Sequence, residues 1–497
     1  MFAVQLNKQD FEYDIHSLIR AFYPGMDVAV CMGESEDHAK ETVPEHTLQV
    51  DYEEDSTTLT LLDAQGKTLA KEQRAFPQET DRKERKNVLK SMLYEMLRAY
   101  TGQELPWGNL TGIRPVKIPM ALLEAGWTNP QIAEYMRKTY YTSNEKTALA
   151  IMIANRERHI LKDIDYENGY SLYVGIPFCP SICLYCSFSS SPIGVWKSRV
   201  DDYLDALCRE IECSAKLYEG RQLQTIYIGG GTPTTLEPEQ LDRLLHKIEA
   251  CFDCSHVLEF TVEAGRPDSI TREKLQVLRD HDISRISINP QTMNQRTLDI
   301  IGRRHTVEQT KEAFLLAREL GFDNINMDLI IGLPGEEYAD VEHTMREVTA
   351  LDPDSITVHS LAVKRAARLN MFRDQYREMT FTNNQQIMEM AAQLSYQTGH
   401  APYYLYRQKN MAGNFENVGY AKPEAAGIYN ILIMEEKQSI LALGAGAVTK
   451  DVRGDLITRS ENVKDIKHYI ERLDEMIQRK EELVTGRVRG QSRDSVE

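Results

Sequence analysis

Short apolar runs alternate with amphipathic segments over residues 170–365. Six runs have the length and the β-branched or aromatic content of strands: SLYVGI, QTIYIGGG, VLEFTVEA, SRISINP, NINMDLIIGLP and SITVHSLA. Helical patterns separate them, which favours parallel strands joined by crossover helices. Turn residues stand where each strand ends, and ligands bind at that edge of such sheets. The pattern therefore predicts an α/β fold with its site at the carboxyl ends of the strands.

Different patterns flank this region. Residues 1–165 contain a helical pattern from Phe11 to Phe22, the alternating runs HTLQVDYEE and TTLTLLDAQGKTLAKEQ, and further helical patterns. They predict an accessory α+β domain with a helical connector. The strand-rich domain is placed at 166–365. Residues 366–497 contain the helical pattern NNQQIMEMAAQLSYQ, an aromatic block, the glycine-rich SILALGAGAV and a charged terminal helix, and they predict a third domain.

Composition narrows the class of protein. The chain has 497 residues, only eight cysteines and a charged start, MFAVQLNKQDFEYD, where a signal peptide would be apolar. These features predict a reduced, cytoplasmic protein. No apolar run approaches the roughly 18 residues of a membrane span. The net charge of −17 argues against non-specific nucleic-acid binding, but it allows a small anionic substrate.

Three cysteines lie close together in GIPFCPSICLYCSF, at Cys179, Cys183 and Cys186. A structural zinc site would need a fourth ligand, and the loop offers no further Cys or His. Three thiolates on a four-iron cluster leave one iron open to a substrate or cofactor. Three unrelated buried thiols are the alternative. Cys251 and Cys254 form a CxxC that follows a helix without a second pair nearby, so we interpret them as ordinary thiols.

The CxxxCxxC loop after a strand resembles the signature of radical S-adenosylmethionine (SAM) enzymes. Together with IYIGGGTPT, NPQTMNQRTLDIIGRRHT and MDLIIGLPGE, it resembles the oxygen-independent coproporphyrinogen III oxidase (HemN-like) group over about residues 170–450. The segments LTGIRP, YYLYRQKNMAGNFENVGYA and ALGAGAV look most like those of the HemZ branch. The resemblance implies a partial (β/α)6 radical SAM barrel with an N-terminal α+β domain and a C-terminal HemN-type α+β module.

The resemblance also implies the cofactors and their ligands. One 4Fe–4S cluster would be held by the three cysteines, and SAM would bind its open iron. The number of SAM molecules per chain, one or two, is open. The family positions for SAM fall on Tyr173, Gly230, Gly231, Thr232, Glu263, Gln291, Arg303, Asp328, Ile330 and Ala362. Asp328 interrupts an apolar strand, where a carboxylate is costly unless it is hydrogen-bonded. His359 ends the last strand and faces the same edge, where a substrate contact and a satisfied strand-end histidine are both open.

The implied reaction is oxidative decarboxylation. A 5′-deoxyadenosyl radical takes a β hydrogen from each of two propionates of coproporphyrinogen III, and loss of carbon dioxide and an electron leaves the vinyl groups of protoporphyrinogen IX. The implied partners are this porphyrinogen, a low-potential electron donor such as flavodoxin or ferredoxin, and an unknown electron acceptor. Arg365, Arg368 and Arg407 are candidates for pairing with substrate propionates, and solvated surface charge is their alternative role.

Two other functions stay open. Ser187 and Phe188 follow the last loop cysteine, where the decarboxylating branch of the group has a glycine and a fourth cysteine. This form is shared with relatives that carry haem (HemW-like chaperones) or transfer methyl groups. The chaperone branch ends with an HNxxYW word, and Tyr429 stands here at the histidine. Imidazole is the usual haem ligand and tyrosinate a rarer one, so this position favours the enzyme.

Overall fold

The computed structural model describes residues 1–33, 43–77, 80–188, 190–362, 367–371, 380–408, 415–454 and 456–486. The chain forms two compact units. We call Met1–Asn155 with Tyr406–Glu416 the N-terminal unit, and Arg156–Leu405 with Asn417–Glu497 the barrel unit. The division at residues 165 and 365 stays a prediction. In the described part of the chain, no helix is both long enough and apolar enough to cross a membrane.

The N-terminal unit is built on a five-stranded sheet of order β2-β1-β3-β4-β5. Its strands are β1 (Phe2–Leu6), β2 (Val28–Met32), β3 (His46–Tyr52), β4 (Ser56–Asp63) and β5 (Thr68–Ala75). Strand β1 lies parallel to β2 and β3, and β3 to β5 form an antiparallel meander. The two predicted alternating runs become this meander, with Gly66 at a φ of +78° in its second turn.

Five helices of the described residues belong to the N-terminal unit, and the first two of them pack on its sheet. They are α1 (Glu12–Phe22), α2 (Arg82–Thr101), α3 (Lys117–Glu124), α4 (Asn129–Tyr140) and α5 (Asn144–Ile160), whose last residues belong to the barrel unit. Helix α1 confirms the helical pattern predicted from Phe11. The apolar faces of α1 and α2 supply Leu18, Phe22 and Leu93 to a core shared with Phe2 of β1. The predicted α+β fold of this region is therefore present.

The barrel unit contains an eleven-stranded sheet of order β14-β15-β13-β12-β11-β10-β9-β6-β16-β17-β18. Its six central strands are β6 (Gly169–Ile176), β9 (Gln222–Gly230), β10 (Glu259–Glu263), β11 (Arg285–Ser287), β12 (Ile325–Ile331) and β13 (Ser355–Ser360). All neighbours among these six are parallel and follow one another in chain order. All six predicted runs are strands, and the arrangement is the predicted partial (β/α)6 barrel.

Helices connect the parallel strands and continue beyond them. The helices of the barrel unit are α6 (Ile193–Trp196), α7 (Val200–Leu217), α8 (Pro238–Cys251), α9 (Arg272–Asp280), α10 (Gln295–Ile300), α11 (Val307–Glu319), α12 (Tyr338–Ala350), α13 (Arg368–Met371), α14 (Gln385–Gln397), α15 (Ile428–Glu435), α16 (Ile466–Glu471) and α17 (Leu473–Thr485). Helix α14 confirms the pattern NNQQIMEMAAQLSYQ.

The later part of the chain extends both edges of the parallel sheet. The remaining strands are β7 (Phe178–Cys179), β8 (Ser191–Pro192), β14 (Ala401–Tyr406), β15 (Asn417–Ala421), β16 (Ser439–Leu443), β17 (Val448–Arg453) and β18 (Leu456–Glu461). Strand β15 pairs antiparallel with β13, and β16 pairs parallel with β6. The glycine-rich run therefore continues the barrel sheet. A Cβ at Gly444 would lie 2.5 Å from the carbonyl oxygen of Gly175, so only glycine fits beside β6.

Candidate functional site

One face of the parallel strands carries half-buried side chains, while the other face is fully buried. In β12, Met327, Leu329 and Ile331 are buried, whereas Asp328 and Ile330 between them are half-buried. The strand register places the equivalent residues of the neighbouring strands on this same face: Tyr173, Tyr227, Glu263 and His359. Four of the predicted SAM positions, at Tyr173, Glu263, Asp328 and Ile330, thus share one face.

The three loop cysteines follow β6. Cys179 ends the short strand β7, and the amide of Cys186 donates to the carbonyl of Cys183 at 3.2 Å, which turns the chain between the last two thiols. All three are free thiols. Burial raises the pKa of Cys186 to about 11 and also raises that of Cys179. A thiolate here needs a positive partner, which a metal centre supplies.

The glycine turn after β9 holds the cysteine loop. The amide of Gly231 donates to the carbonyl of Ile176 at 2.7 Å, and the amide of Thr232 donates to the carbonyl of Phe178 at 2.7 Å. A Cβ at Gly231 would lie 2.5 Å from that second carbonyl oxygen, and Gly230 has a φ of +104°. The Oγ1 of Thr232 lies 3.6 Å from the Sγ of Cys179. The turn therefore requires glycine, because a side chain at Gly231 would clash and Gly230 has a positive φ. The hydrogen bonds of the turn position Cys179.

Glu263 and Tyr227 form a hydrogen-bonded pair in which the phenol donates to Oε1 of the carboxylate. Burial raises the pKa of Glu263 to about 7, against the hydrogen bond from Tyr227, which lowers it. The ring of Tyr227 stacks on Tyr429 at 4.6 Å and, more distantly, on Tyr173 at 6.3 Å. Tyr227 was not predicted from the sequence. Its position two residues before the glycine turn, in step with Tyr173 on β6, is the signal that could have found it.

Asp328 is held by polar partners on β12 and β13. Asn326 donates to its Oδ1 at 2.7 Å, and Nε2 of His359 lies 3.7 Å from its Oδ2. Burial alone would raise the pKa of Asp328, but interactions with His359, Asn326 and Thr357 outweigh it and lower the pKa. The carboxylate therefore stays ionised at neutral pH and accepts hydrogen bonds.

Gln291 lies beside Asp328 through the backbone. Its amide donates to the carbonyl of Asp328 at 3.0 Å, and the amide of Ile330 donates to the carbonyl of Gln291 at 2.9 Å. Gln291 has a φ of +69°, a strained conformation for a residue with a side chain. Ala362 follows the end of β13 and is half-buried. These positions lie at the carboxyl ends of β11, β12 and β13, the edge at which the sequence predicts the site.

Two buried arginines lie beside Cys183. Arg303 donates to the carbonyl of Asn289 at 2.6 Å. Burial disfavours its charge, but Tyr185 and Cys183 outweigh that effect and raise the pKa of Arg303. Arg266, which was not predicted from the sequence, places Nη1 3.6 Å from the Sγ of Cys183. The only sequence signal for Arg266 is its position three residues after Glu263, at a strand end.

Asp268 fixes the second of these arginines. Its Oδ1 and Oδ2 accept hydrogen bonds from Nε and Nη2 of Arg266 at 2.9 and 2.8 Å. Burial would raise the pKa of Asp268, but the hydrogen bond and charge of Arg266 lower it. This bidentate pair sets the orientation of the guanidinium against the Cys183 sulfur.

The predicted substrate arginines have different positions. Arg365 lies outside the described residues. Arg368 is exposed on α13, where the amide of Leu369 donates to the carbonyl of Leu184 at 2.9 Å and ties the helix to the cysteine loop. Arg407 belongs to the N-terminal unit, where it is buried and donates to the carbonyl of Leu110 at 2.7 Å. Burial lowers the pKa of Arg407 to about 10.

Comparison with known proteins decides the family. The model of the radical SAM superfamily matches residues 173–348. The oxygen-independent coproporphyrinogen-III oxidase-like protein HemZ of Bacillus subtilis is 43% identical over 398 residues, which cover 79% of each chain. The chain belongs to the radical SAM superfamily. Within this superfamily it belongs to the HemN-like oxygen-independent coproporphyrinogen III oxidase group, in the HemZ branch, as the resemblance predicted.

Two further likenesses bear on this radical SAM protein. The heme chaperone HemW of B. subtilis is 34% identical over 306 residues, which cover 61% of this chain and 75% of the chaperone. The solved structure of coproporphyrinogen III oxidase (HemN) from Escherichia coli, a radical SAM enzyme, matches with a TM-score of 0.51 and 26% identity, over 63% of this chain and 70% of that chain. The fold is therefore that of HemN, and the chain is also similar in sequence to a heme chaperone.

Membership of the superfamily implies a 4Fe–4S cluster and SAM, and the described residues fit both. Three free thiols occupy one loop, with the guanidinium of Arg266 beside one of them. The buried Nε of Arg303 has no hydrogen-bond partner among the described residues, which leaves a donor for an anionic group. Glu263 and Asp328 supply acceptors for amino and hydroxyl groups on the half-buried face. The individual ligand assignments stay predictions.

Proposed function

We propose that this protein is an oxygen-independent coproporphyrinogen III dehydrogenase that forms protoporphyrinogen IX. In the proposed reaction each of two propionates loses a β hydrogen atom, carbon dioxide and one electron, and becomes a vinyl group. The electron passes to a one-electron acceptor of the quinone or flavin class. The likeness to HemZ over most of both chains and the shared fold with HemN support the choice of substrate.

The environment of Tyr429 favours the dehydrogenase reaction over haem transport. Helix α15 brings the Tyr429 ring onto Tyr227, and the side chain is buried. Burial raises the pKa of Tyr429 well above its ordinary value, so the residue remains a neutral phenol. A haem iron is held by neutral imidazole, thiolate, thioether or tyrosinate. The position at which the chaperone branch has histidine therefore offers no suitable haem ligand.

The residues of the candidate site have separate roles in the proposed reaction. When bound, the cluster and SAM supply a radical that removes a hydrogen atom from the substrate. Cys179, Cys183 and Cys186 would hold one cluster. Glu263 changes charge near neutral pH and can accept a hydrogen bond from the amino group of SAM, and the ionised Asp328 suits ribose hydroxyls.

Substrate and redox partners follow from the reaction. A low-potential donor such as flavodoxin or ferredoxin would reduce the cluster. Arg368, exposed beside the cysteine loop, suits a substrate propionate. Arg365 remains a candidate for a second propionate. Arg407 is the weakest candidate of the three, because a backbone carbonyl already binds its buried guanidinium.

Haem transport is the second candidate function. Ser187 and Phe188 follow Cys186, where the decarboxylating branch has a glycine and a fourth cysteine, and the HemW chaperone is 34% identical. In this alternative the barrel binds haem, and SAM cleavage has no porphyrin product. A methyltransferase would share the same radical chemistry and would give a methylated product instead.

An anaerobic product assay tests the proposal. The reconstituted protein is supplied with coproporphyrinogen III, SAM, a reduced flavodoxin and a one-electron acceptor, and the porphyrins are separated after oxidation. We expect a monovinyl tricarboxylic intermediate followed by the divinyl product, because the two decarboxylations of one macrocycle occur in sequence. Tight haem binding with only substrate-independent SAM cleavage would overturn the proposal in favour of transport. Methylated tetrapyrrole would overturn both.

A further inference from the structure

A cluster of two histidines and a carboxylate lies on helices of the barrel unit, apart from the cysteine loop. Asp242 and His246 are one turn apart on α8, and His281 directly follows α9. One ligand atom from each of the three residues lies within 4.8 Å of the other two. None of these residues is used by the proposed reaction.

Two of the three ligand distances match those of a tetrahedral metal site. The Oδ1 of Asp242 lies 3.1 Å from Nε2 of His281 and 3.3 Å from Nδ1 of His246. Zinc bonds of about 2.0–2.1 Å to nitrogen and oxygen place tetrahedral ligands about 3.3 Å apart. His246 Nδ1 also lies 3.1 Å from the carbonyl oxygen of Asp242, so a bound metal would replace that hydrogen bond.

Glu249 orients the buried member of the cluster. Its Oε1 lies 2.7 Å from Nδ1 of His281, which leaves Nε2 of the same ring facing Asp242. Histidine ligands in metalloproteins usually carry such a carboxylate on the second ring nitrogen, because it fixes the tautomer and the ring direction. The His281 side chain is only 4% exposed, whereas Asp242 and His246 are 49% and 66% exposed. The site thus has one rigid ligand and an open side for water.

We propose that Asp242, His246 and His281 bind one divalent transition-metal ion of the zinc class, with Glu249 as the orienting residue. Two imidazoles and one carboxylate suit Zn²⁺ better than Mg²⁺ or Ca²⁺, which prefer oxygen ligands. Water completes the coordination. Because the ligands come from α8 and from the turn after α9, the ion would tie two neighbouring crossover helices together.

The contacts also have a metal-free interpretation. Burial lowers the pKa of His281, but Glu249 and Asp242 outweigh it and raise the pKa above its ordinary value. A protonated His281 would then form an ion-pair cluster with the two carboxylates.

The test uses the protein with its iron–sulfur cluster reconstituted, so that the loop cysteines are occupied, and Co²⁺ as the probe. We expect one tightly bound Co²⁺ with visible d–d absorption and no sulfur-to-cobalt charge-transfer band. Asp242→Asn and His246→Ala should abolish that spectrum. Glu249→Gln should weaken binding by roughly 10–100-fold. His343→Ala, which removes an exposed histidine of α12, should leave binding unchanged.

Thermal unfolding is a second measurement, and it also shows whether the variants fold. Zn²⁺ added to the chelator-treated protein should raise its thermal unfolding midpoint, because a ligand that binds the folded state stabilises it. The midpoints of His246→Ala and Asp242→Asn should not respond. Since both side chains are substantially exposed, these variants are expected to fold. Absence of Co²⁺ binding by the wild type, or unchanged binding by both variants, would overturn the site.

Discussion

Tyr227 and Glu263 meet at the carboxyl ends of adjacent parallel strands, where the phenolic hydroxyl donates a hydrogen bond to Oε1 of the carboxylate. Burial raises the pKa of Glu263 to about 7, so its charge changes near neutral pH. The charge on the half-buried face therefore depends on pH in the physiological range.

Replacing Glu263 should change how stability depends on pH. The folded-state pKa lies above the ordinary value of 4.5, so the stability from the neutral carboxyl is fully present below that value. It is lost as the pH rises through about 7. Between about pH 5 and about pH 8, the wild type should lose on the order of 2 kcal/mol more unfolding free energy than Glu263→Gln. Denaturant unfolding at both pH values measures this.

The matched control is Glu308→Gln, which removes an exposed carboxylate on α11. It should keep the pH dependence of the wild type. An identical pH dependence in Glu263→Gln and the wild type would show that the carboxyl titrates normally.

Arg266 should raise the reduction potential of the cluster. Its guanidinium lies 3.6 Å from the Sγ of Cys183, and a positive hydrogen-bond donor stabilises the more negative, reduced cluster. A charge-assisted bond of about 1.5–3 kcal/mol corresponds to about 65–130 mV for one electron. Arg266→Gln should lower the potential by this amount in an EPR-monitored redox titration, with unchanged iron content. Arg272→Gln, at an exposed arginine, should leave it unchanged.

Asp328 and Arg303 should contribute to SAM binding without holding iron. Asp328→Asn removes an ionised acceptor, and Arg303→Ala removes a buried donor whose Nε is unpartnered among the described residues. Loss of one charge-assisted bond costs about 1.5–3 kcal/mol, or roughly ten- to a hundredfold in affinity. Equilibrium dialysis of SAM measures this against Asp323→Asn, an exposed control. Normal SAM affinity in both variants would remove the two residues from the site.

The three loop cysteines should account for all the iron. Replacing Cys179, Cys183 and Cys186 together with alanine should abolish the cluster and SAM cleavage, because a 4Fe–4S cluster needs these thiolates. Cys251→Ser and Cys254→Ser remove half-buried free thiols outside the loop and should keep full iron content. Iron and sulfide analysis after anaerobic reconstitution measures both. A full cluster in the triple variant would identify other ligands.

Most of the barrel could be predicted because each strand is a short apolar run that ends in turn residues. Even β11, with three residues, is bounded by turn residues and a helix on each side. Strands β1 and β2 were missed because each has five residues and pairs with a strand separated from it by a helix. The glycine-rich run that forms β16 was not predicted as a strand, since its stability comes from pairing with β6, more than 250 residues earlier.

The site was predictable where a residue differs from its surroundings in the sequence. Asp328 stands out within an apolar strand, and the cysteines stand out by spacing. Tyr227 resembles any strand aromatic, and Arg266 any loop arginine, until the fold brings them to Glu263 and Cys183. For Arg407, charge alone suggested a substrate contact. Arg407 instead donates to the carbonyl of Leu110, 297 residues away, which no local pattern reveals.

Isotope transfer from the substrate is the sharpest test of the proposed decarboxylation. Coproporphyrinogen III deuterated at the β carbons of its propionates is incubated anaerobically with the reduced protein, SAM and a one-electron acceptor, and the 5′-deoxyadenosine is analysed by mass spectrometry. We expect deuterium in 5′-deoxyadenosine, formed in step with vinyl groups and carbon dioxide. The triple cysteine variant should form none of these products. Deuterium-free 5′-deoxyadenosine, together with unchanged coproporphyrinogen III, would contradict the proposed reaction.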